Sequence, residues 1–417
     1  MTDQEYGELL DLSVDLAYQL QQCGAETYRV EECISHLMRA YDAHAETFAI
    51  PNFIIASLET DDEKHVMRMR RTDAASTDMD ALERFNALCR RICSEKPPVH
   101  TAATWLKEEK KNAHPRSFAM LILGNALAAM GFGFFFHGTI LDALCAAICG
   151  ISVGLSLRFM RIFRANLFFN TVAAGFVQAF LAQILAQLGL LHNPDATIIG
   201  TLMLLVPGLL FTNSIRDVIY GDTLSGVNRL VQVFITAVAL AVGVGAAVSV
   251  ARSLFGEVAG APCLMNSFFF ECLGACIGCT GFCILFNIRG KAVLLCVLGG
   301  LLSWLIYTPC VMLGCSEVTG FVIASAAVAT YAEVMARVRK CPASPYLVIS
   351  LIPLIPGSGI FYTMDFAARG EIDNFLMKGL NTSALAGALA VGVLLVSTMF
   401  RMWTVWNFRK RILKSKQ

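Results

Sequence analysis

Two short stretches place backbone-breaking residues inside apolar sequence. The first reads Thr201-Leu-Met-Leu-Leu-Val-Pro207-Gly208-Leu-Leu-Phe-Thr212-Asn213. The second reads Val348-Ile-Ser350-Leu-Ile-Pro353-Leu-Ile-Pro356-Gly357-Ser358-Gly359. Proline removes a helix hydrogen bond and clashes with the carbonyl four residues back. In hydrocarbon, such a break is tolerated only where protein or a water-filled cavity satisfies the freed groups. The half-helix after a break offers free N–H groups and a positive dipole end, which suit a carboxylate. Pro207, Gly208, Thr212, Asn213, Pro353, Pro356, Gly357 and Ser358 are therefore the candidate substrate-binding residues. An ordinary packing kink uses the same residue types, but here the feature occurs twice. Acids within apolar spans are the second source of chemistry, as proton carriers. Glu333 and Glu271 lead this group, and Asp217 and Asp365 end the two broken stretches. Asp142, at the outer edge of another apolar stretch, reads as a snorkelling or loop-facing acid, and the same bland reading is the commoner one for Asp365.

The elements that must position these groups follow from composition. The chain has 417 residues, 56% hydrophobic and 16% charged, with a mean hydropathy of +0.60. Residues 1–116 hold 14 Lys/Arg and 21 Asp/Glu, whereas residues 117–417 hold 19 and 11. The first part has the make-up of a water-soluble domain. The second is dominated by apolar stretches of membrane-spanning length. This profile excludes a secreted protein, a nucleic-acid binder with a dominant basic face, and an outer-membrane barrel. The first 116 residues lack the apolar core of a secretory signal, so the stretch at Ser117 is expected to act as an internal anchor.

Apolar length and loop punctuation predict ten spans, roughly 117–136, 140–158, 167–190, 197–215, 228–251, 265–287, 292–308, 317–336, 346–363 and 379–400. With residues 1–116 in the cytoplasm, the inside loops and tail carry 16 Lys/Arg and the outside loops three, namely Arg252, Arg369 and Lys378. That asymmetry predicts cytoplasmic termini at both ends. Pro207-Gly208 and Pro356-Gly357 lie 149 residues apart, and at the same offset Arg229 matches Lys378 and Arg216 matches Asp365. Each unit has five spans, so the second must enter the bilayer upside down relative to the first. This is the inverted layout of secondary transporters, whose substrate sites lie at the repeat interface. The expected fold is an all-α polytopic membrane protein of ten helices in a 5+5 inverted repeat with a small α+β head. The expected domains are a head at 1–116, a first repeat at 117–252 and a second at 253–417.

The head reads as two helices, a three-stranded meander and two further helices, with Pro51-Asn52 and Asp61-Asp62 as turns. Its His36, His44, His65 and Cys23 have no nucleophile–base spacing, so an enzyme is not expected. Cys272, Cys276, Cys279 and Cys283 lie on one face of one helix, which cannot wrap an ion. No metal and no cofactor are expected. Gly274-xxx-Gly278 and Gly150-xxx-Gly154 point to close helix packing instead.

The run Gln22-Cys23-Gly24-Ala25-Glu26-Thr27-Tyr28-Arg29-Val30-Glu31 and the motif Ile352-Pro353-Leu354-Ile355-Pro356-Gly357, together with the glycine-rich spans, resemble the threonine/serine exporter family. The resemblance covers nearly the whole chain. It implies ten spans with a cytoplasmic head, in a bacterial inner membrane, and proton-driven antiport of threonine and serine. A two-subunit branch with succinate as cargo makes a dicarboxylate the alternative substrate. A membrane-anchored sensor or scaffold is a further alternative. The expected partners are thus a small-molecule substrate, protons and the lipid bilayer, with homo-oligomers left open and no nucleic acid. The first repeat departs from the motif, since it keeps only Val206-Pro207-Gly208.

Overall fold

The computed structural model describes residues 2–60, 64–72, 77–256 and 268–415. The chain divides into two compact units, one of Met1–Arg116 with the short loops Phe286–Ile288 and Lys340–Pro342, the other of everything else.

The first unit opens with α1 (Asp3–Gln22), started by a capping box between Thr2 and Glu5. Its leucines at positions 9, 12, 16 and 20 are all buried, as the helical spacing requires. The helix stops at Cys23, followed by Gly24 at φ 89°, a left-handed conformation that glycine adopts without strain. After α2 (Thr27–Ala40) come β1 (Ala45–Ile50), β2 (Phe53–Glu59) and β3 (His65–Arg71), an antiparallel sheet in that order. Ile50 pairs with Phe53 across the Pro51-Asn52 turn. The expected turn at Asp61-Asp62 falls outside the described residues. On the central strand Ile54, Ala56 and Leu58 are buried, so alternate residues of β2 face the helices. Two more helices, α3 (Met79–Glu95) and α4 (Val99–Lys111), complete the layer, bridged by Arg84 to Asp80 and Glu109. Asp78 caps α3 and also accepts from Asn287 Nδ2 at 2.9 Å, while Arg116 donates to the Ile288 carbonyl at 2.7 Å. Burial and the charge of Asp78 push the Cys23 thiol up to about 12. It is therefore no thiolate at neutral pH and a poor nucleophile.

The second unit is helical: α5 (Phe118–Phe135), α6 (Ile140–Ile162), α7 (Leu167–Gln187), α8 (Pro194–Leu202), α9 (Gly208–Tyr220), α10 (Thr223–Phe255), α11 (Phe268–Leu285), α12 (Lys291–Met312), α13 (Glu317–Arg339), α14 (Ser344–Leu351), α15 (Gly357–Arg369) and α16 (Ile372–Ser415). Among the described residues eight helices are long and apolar enough to cross a bilayer, or nine if the bent pair Ser344–Leu354 and Gly357–Ala367 counts as one span. The chain is thus a multi-pass membrane protein. The expected spans four and nine are where the count differs. Proline and glycine cut each into two short helices, none of which has spanning length by itself.

Helix bounds recur along this unit. α5 and α11 end 150 positions apart, at Phe135 and Leu285. α9 and α15 each have 13 residues, are preceded by proline and end on a left-handed glycine. α10 and α16 both start two residues after that glycine. Neighbour relations recur as well: α7 packs on α10 as α13 packs on α16, and α9 packs on α16 as α15 packs on α10. α5 and α11 meet backbone to backbone, for a Cβ at Gly131 would collide with the Gly278 backbone and lie 2.6 Å from the Gly274 carbonyl. Glycine at these positions is what permits the crossing.

Candidate functional site

The second break is built from a short 3-10 turn, Ile352–Leu354, with Ile355 extended (ψ 123°) and Pro356 as the cap of α15. A bend of 51° separates the two halves. The first break has the same exit geometry, with Pro207 capping α9 at φ −79° and ψ 43°. The two breaks touch. A Cβ on Gly208 would collide with Ile355 Cγ2, and one on Gly357 would lie 2.8 Å from Met203 Sδ. Each break therefore uses its glycine to admit the other.

Against the second break lies a cavity of about 170 Å³. Pro353, Pro356, Ser358 and Gly359 form one wall, and the aromatic rings of Phe135, Trp304 and Tyr307 form another. Its charged lining residues are Glu317, at the start of α13, and Lys378, in the second turn of α16. Asn381 and Thr382, one turn further along α16, add an amide and a hydroxyl. Thr382 is buried and its hydroxyl donates to the Lys378 carbonyl at 2.7 Å. No side chain caps α15, and its first-turn residues Ser358 and Gly359, whose N–H groups have no helical carbonyl to reach, line the cavity. A water needs about 10–15 Å³ by this measure, so the space suits a solute of a few heavy atoms with both charges.

The candidate substrate-binding residues divide between the breaks. Pro353, Pro356 and Ser358 border the cavity, with Gly357 beside them holding Met203, which also lines it. Pro207, Gly208, Thr212 and Asn213 do not line it. Gly208 meets the cavity wall through Ile355, and Thr212 is buried with its hydroxyl making no hydrogen bond among the described residues.

The candidate proton carriers divide too. Glu271 accepts from the indole N–H of Trp304 at 2.8 Å and lies 3.6 Å from His137 Nδ1. One side chain thus separates it from the cavity, and the Phe135 ring lies tilted against Trp304 at 4.4 Å between centroids. Glu333 pairs with Arg337, which lies over the Phe400 ring, and neither residue lines the cavity. Asp365 is paired with Arg369 at 2.7 Å. Asp217 is buried between Arg216 and Arg229, at 3.5 and 3.4 Å.

Two placements differ from the sequence reading. Asp142 is fully buried rather than loop-facing. Its carboxylate accepts from Thr139 and from the His192 and Asn193 amides at 2.8 and 3.1 Å, so it caps α6 and holds the segment leading into α8. Lys378, counted as an outside loop cation, lies inside α16, because that helix starts at Ile372, seven residues before the expected span. Trp304, Tyr307, Glu317, Asn381 and Thr382 also line the cavity and are not among the candidates that the sequence singles out. A usable signal was present: Asn381-Thr382-Ser383 is a polar triplet opening an apolar span, and Lys378 matches Arg229 at the 149 offset.

Residues 11–251 match a family described as "Putative threonine/serine exporter", and residues 271–399 match one described as "Threonine/Serine exporter". A protein of Mycobacterium tuberculosis named "Probable threonine/serine exporter" is 24% identical over 405 residues, spanning 93% of this chain and 75% of its own. The threonine/serine exporter of Corynebacterium glutamicum is 25% identical over 332 residues, spanning 76% of this chain and 67% of its own. No solved structure matches the chain.

Proposed function

The chain belongs to the threonine/serine exporter family, and we propose that it carries threonine and serine out of the cell through the cavity at the second helix break. The observation that carries this reading is that one cation and one acid, Lys378 and Glu317, both line a small cavity walled by an opened helix. A hydroxy amino acid needs donors for its carboxylate, an acceptor for its ammonium and a partner for its hydroxyl. The α15 N-terminus and Lys378 are donors, Glu317 is an acceptor, and Ser358, Asn381 and Thr382 suit the hydroxyl. The lining is poorly matched to succinate, whose second carboxylate would meet Glu317.

The cycle is alternating access by two oppositely oriented halves, 117–252 and 253–417, with residues 1–116 as a cytoplasmic head. The recurring helix lengths and the reciprocal packing of α9 on α16 and α15 on α10 support this reading. The excess of Lys/Arg in alternate loops supports cytoplasmic termini in a bacterial inner membrane. Proton antiport runs through Glu271, because its hydrogen bond to Trp304 links its charge state to the cavity wall. Asp217, Asp365 and Glu333 are each held in ion pairs, which suits them to conformational stability more than to proton exchange.

Counterflow in proteoliposomes tests the assignment. Vesicles loaded with unlabelled threonine should accumulate labelled threonine and serine, with succinate exchanging far more slowly. Exchange of succinate alone would overturn the amino-acid reading. Leakage without exchange would overturn a carrier.

A further inference from the structure

We propose that Lys378 is the receptor for the substrate's carboxylate, and that Asp217 is a built-in copy of that carboxylate in the other half of the protein; this rests on the exporter reading of the same cavity. Arg229 and Lys378 are each the seventh residue of their helices, α10 and α16. The helices that precede them, α9 and α15, have identical lengths and caps. In the first half, Arg229 lies 3.4 Å from Asp217, a buried acid on the preceding helix. In the second half, the position equivalent to Asp217 is Phe366. The acid beside it, Asp365, is taken up by Arg369.

Lys378 is half-buried and, among the described residues, makes no ion pair. Its ammonium sits 5.9 Å from the Tyr362 ring, and the residue lines the cavity. A cation partly withdrawn from water and in no ion pair is costly, and an anion that enters relieves it. The first turn of α15 lines the same space and favours the same sign of charge. One half of the molecule thus answers its cation from within, while the other leaves it for a ligand. Asn381 and Thr382 sit three and four residues beyond Lys378, on its side of the helix, so they are placed to read what the carboxylate carries.

The test compares binding of L-threonine, L-serine, L-threoninamide and succinate by the purified full-length protein, in wild type and in Lys378→Gln, Lys378→Arg and Phe366→Asp. Threoninamide keeps the ammonium and hydroxyl but has no carboxylate. Lys378→Gln should weaken threonine and serine roughly 10–100-fold, the loss expected for a charge-assisted contact. It should leave threoninamide nearly unchanged, and Lys378→Arg should recover most of the affinity. Phe366→Asp supplies the missing internal carboxylate and should weaken threonine to a similar degree. A normal melting temperature and a single size-exclusion peak establish folding of each variant, and Lys378→Arg and Phe366→Asp decide the matter should the glutamine variant unfold. Unchanged threonine affinity in Lys378→Gln, or equal losses for threonine and its amide, would overturn the proposal. Lysine-dependent binding of succinate alone would keep the lysine's role and overturn the amino-acid exporter. A wild type that binds none of the four would overturn both.

Discussion

The two helix breaks share a backbone and differ in what surrounds them. Both have proline as cap, glycine as first helical residue, a 13-residue helix and a left-handed glycine stop. Only the second borders the cavity with its own residues, apart from Met203, which the first contributes. The first is followed by a closed ion cluster of Arg216, Asp217 and Arg229, the second by a lysine facing open space. Backbone interruption is therefore shared, and the difference lies in the surroundings of the cations about twenty residues later, Arg229 on α10 and Lys378 on α16.

The largest way to break this comparison is to remove the acid of the closed cluster. Asp217→Ala leaves two cations in partly buried positions and should lower stability by about 3–5 kcal/mol, read by thermal unfolding. Asp365→Ala, at a partly exposed i,i+4 pair with Arg369, should lower it by under about 1 kcal/mol. Similar losses from both would mean that the halves are equally closed. Next come the interlocking glycines. Gly208→Val drives a methyl into Ile355 and Gly357→Val drives one into Met203, so each should lower stability by about 1–3 kcal/mol and abolish counterflow. Full transport by either variant would mean that the breaks do not need their close approach. Trp304→Phe keeps the ring against Phe135 but removes the donor to Glu271; transport should fall about tenfold, the lower end expected for a hydrogen bond to a charged group, with threonine binding retained. The smallest effect is expected from Glu333→Gln, whose partly exposed pair with Arg337 is worth about 0–1 kcal/mol, so pH-driven export should stay within about twofold. Loss of export there would move the proton path to α13.

Much of the architecture was legible because the forces that set it are local in sequence. Proline and glycine dictate where a helix opens, so both breaks could be placed from residues 207–208 and 356–357. The leucine stripe of α1 and the alternating pattern of β2 likewise carry their own periodicities. The contents of the cavity were harder to read. Trp304, Glu317, Lys378 and Thr382 come from three helices, and nothing in their spacing marks them as neighbours. Lys378 was hidden for a second reason: in a loop a cation reports orientation, and it reports chemistry only once α16 is seen to begin before it. Asp142 was misjudged because a carboxylate that accepts several N–H groups can be buried at a helix start, and those donors come from residues 192–193, fifty positions away.

The crossing of α5 and α11 has a mechanical corollary. Where Gly131 and Gly278 meet with no side chains between them, there are no rotamers to rearrange and little soft material to absorb a displacement. A tilt imposed on one rod must reach the other almost undiminished, about a fulcrum only one backbone thick. Such a pivot favours displacement of the two helices together over bending of either one.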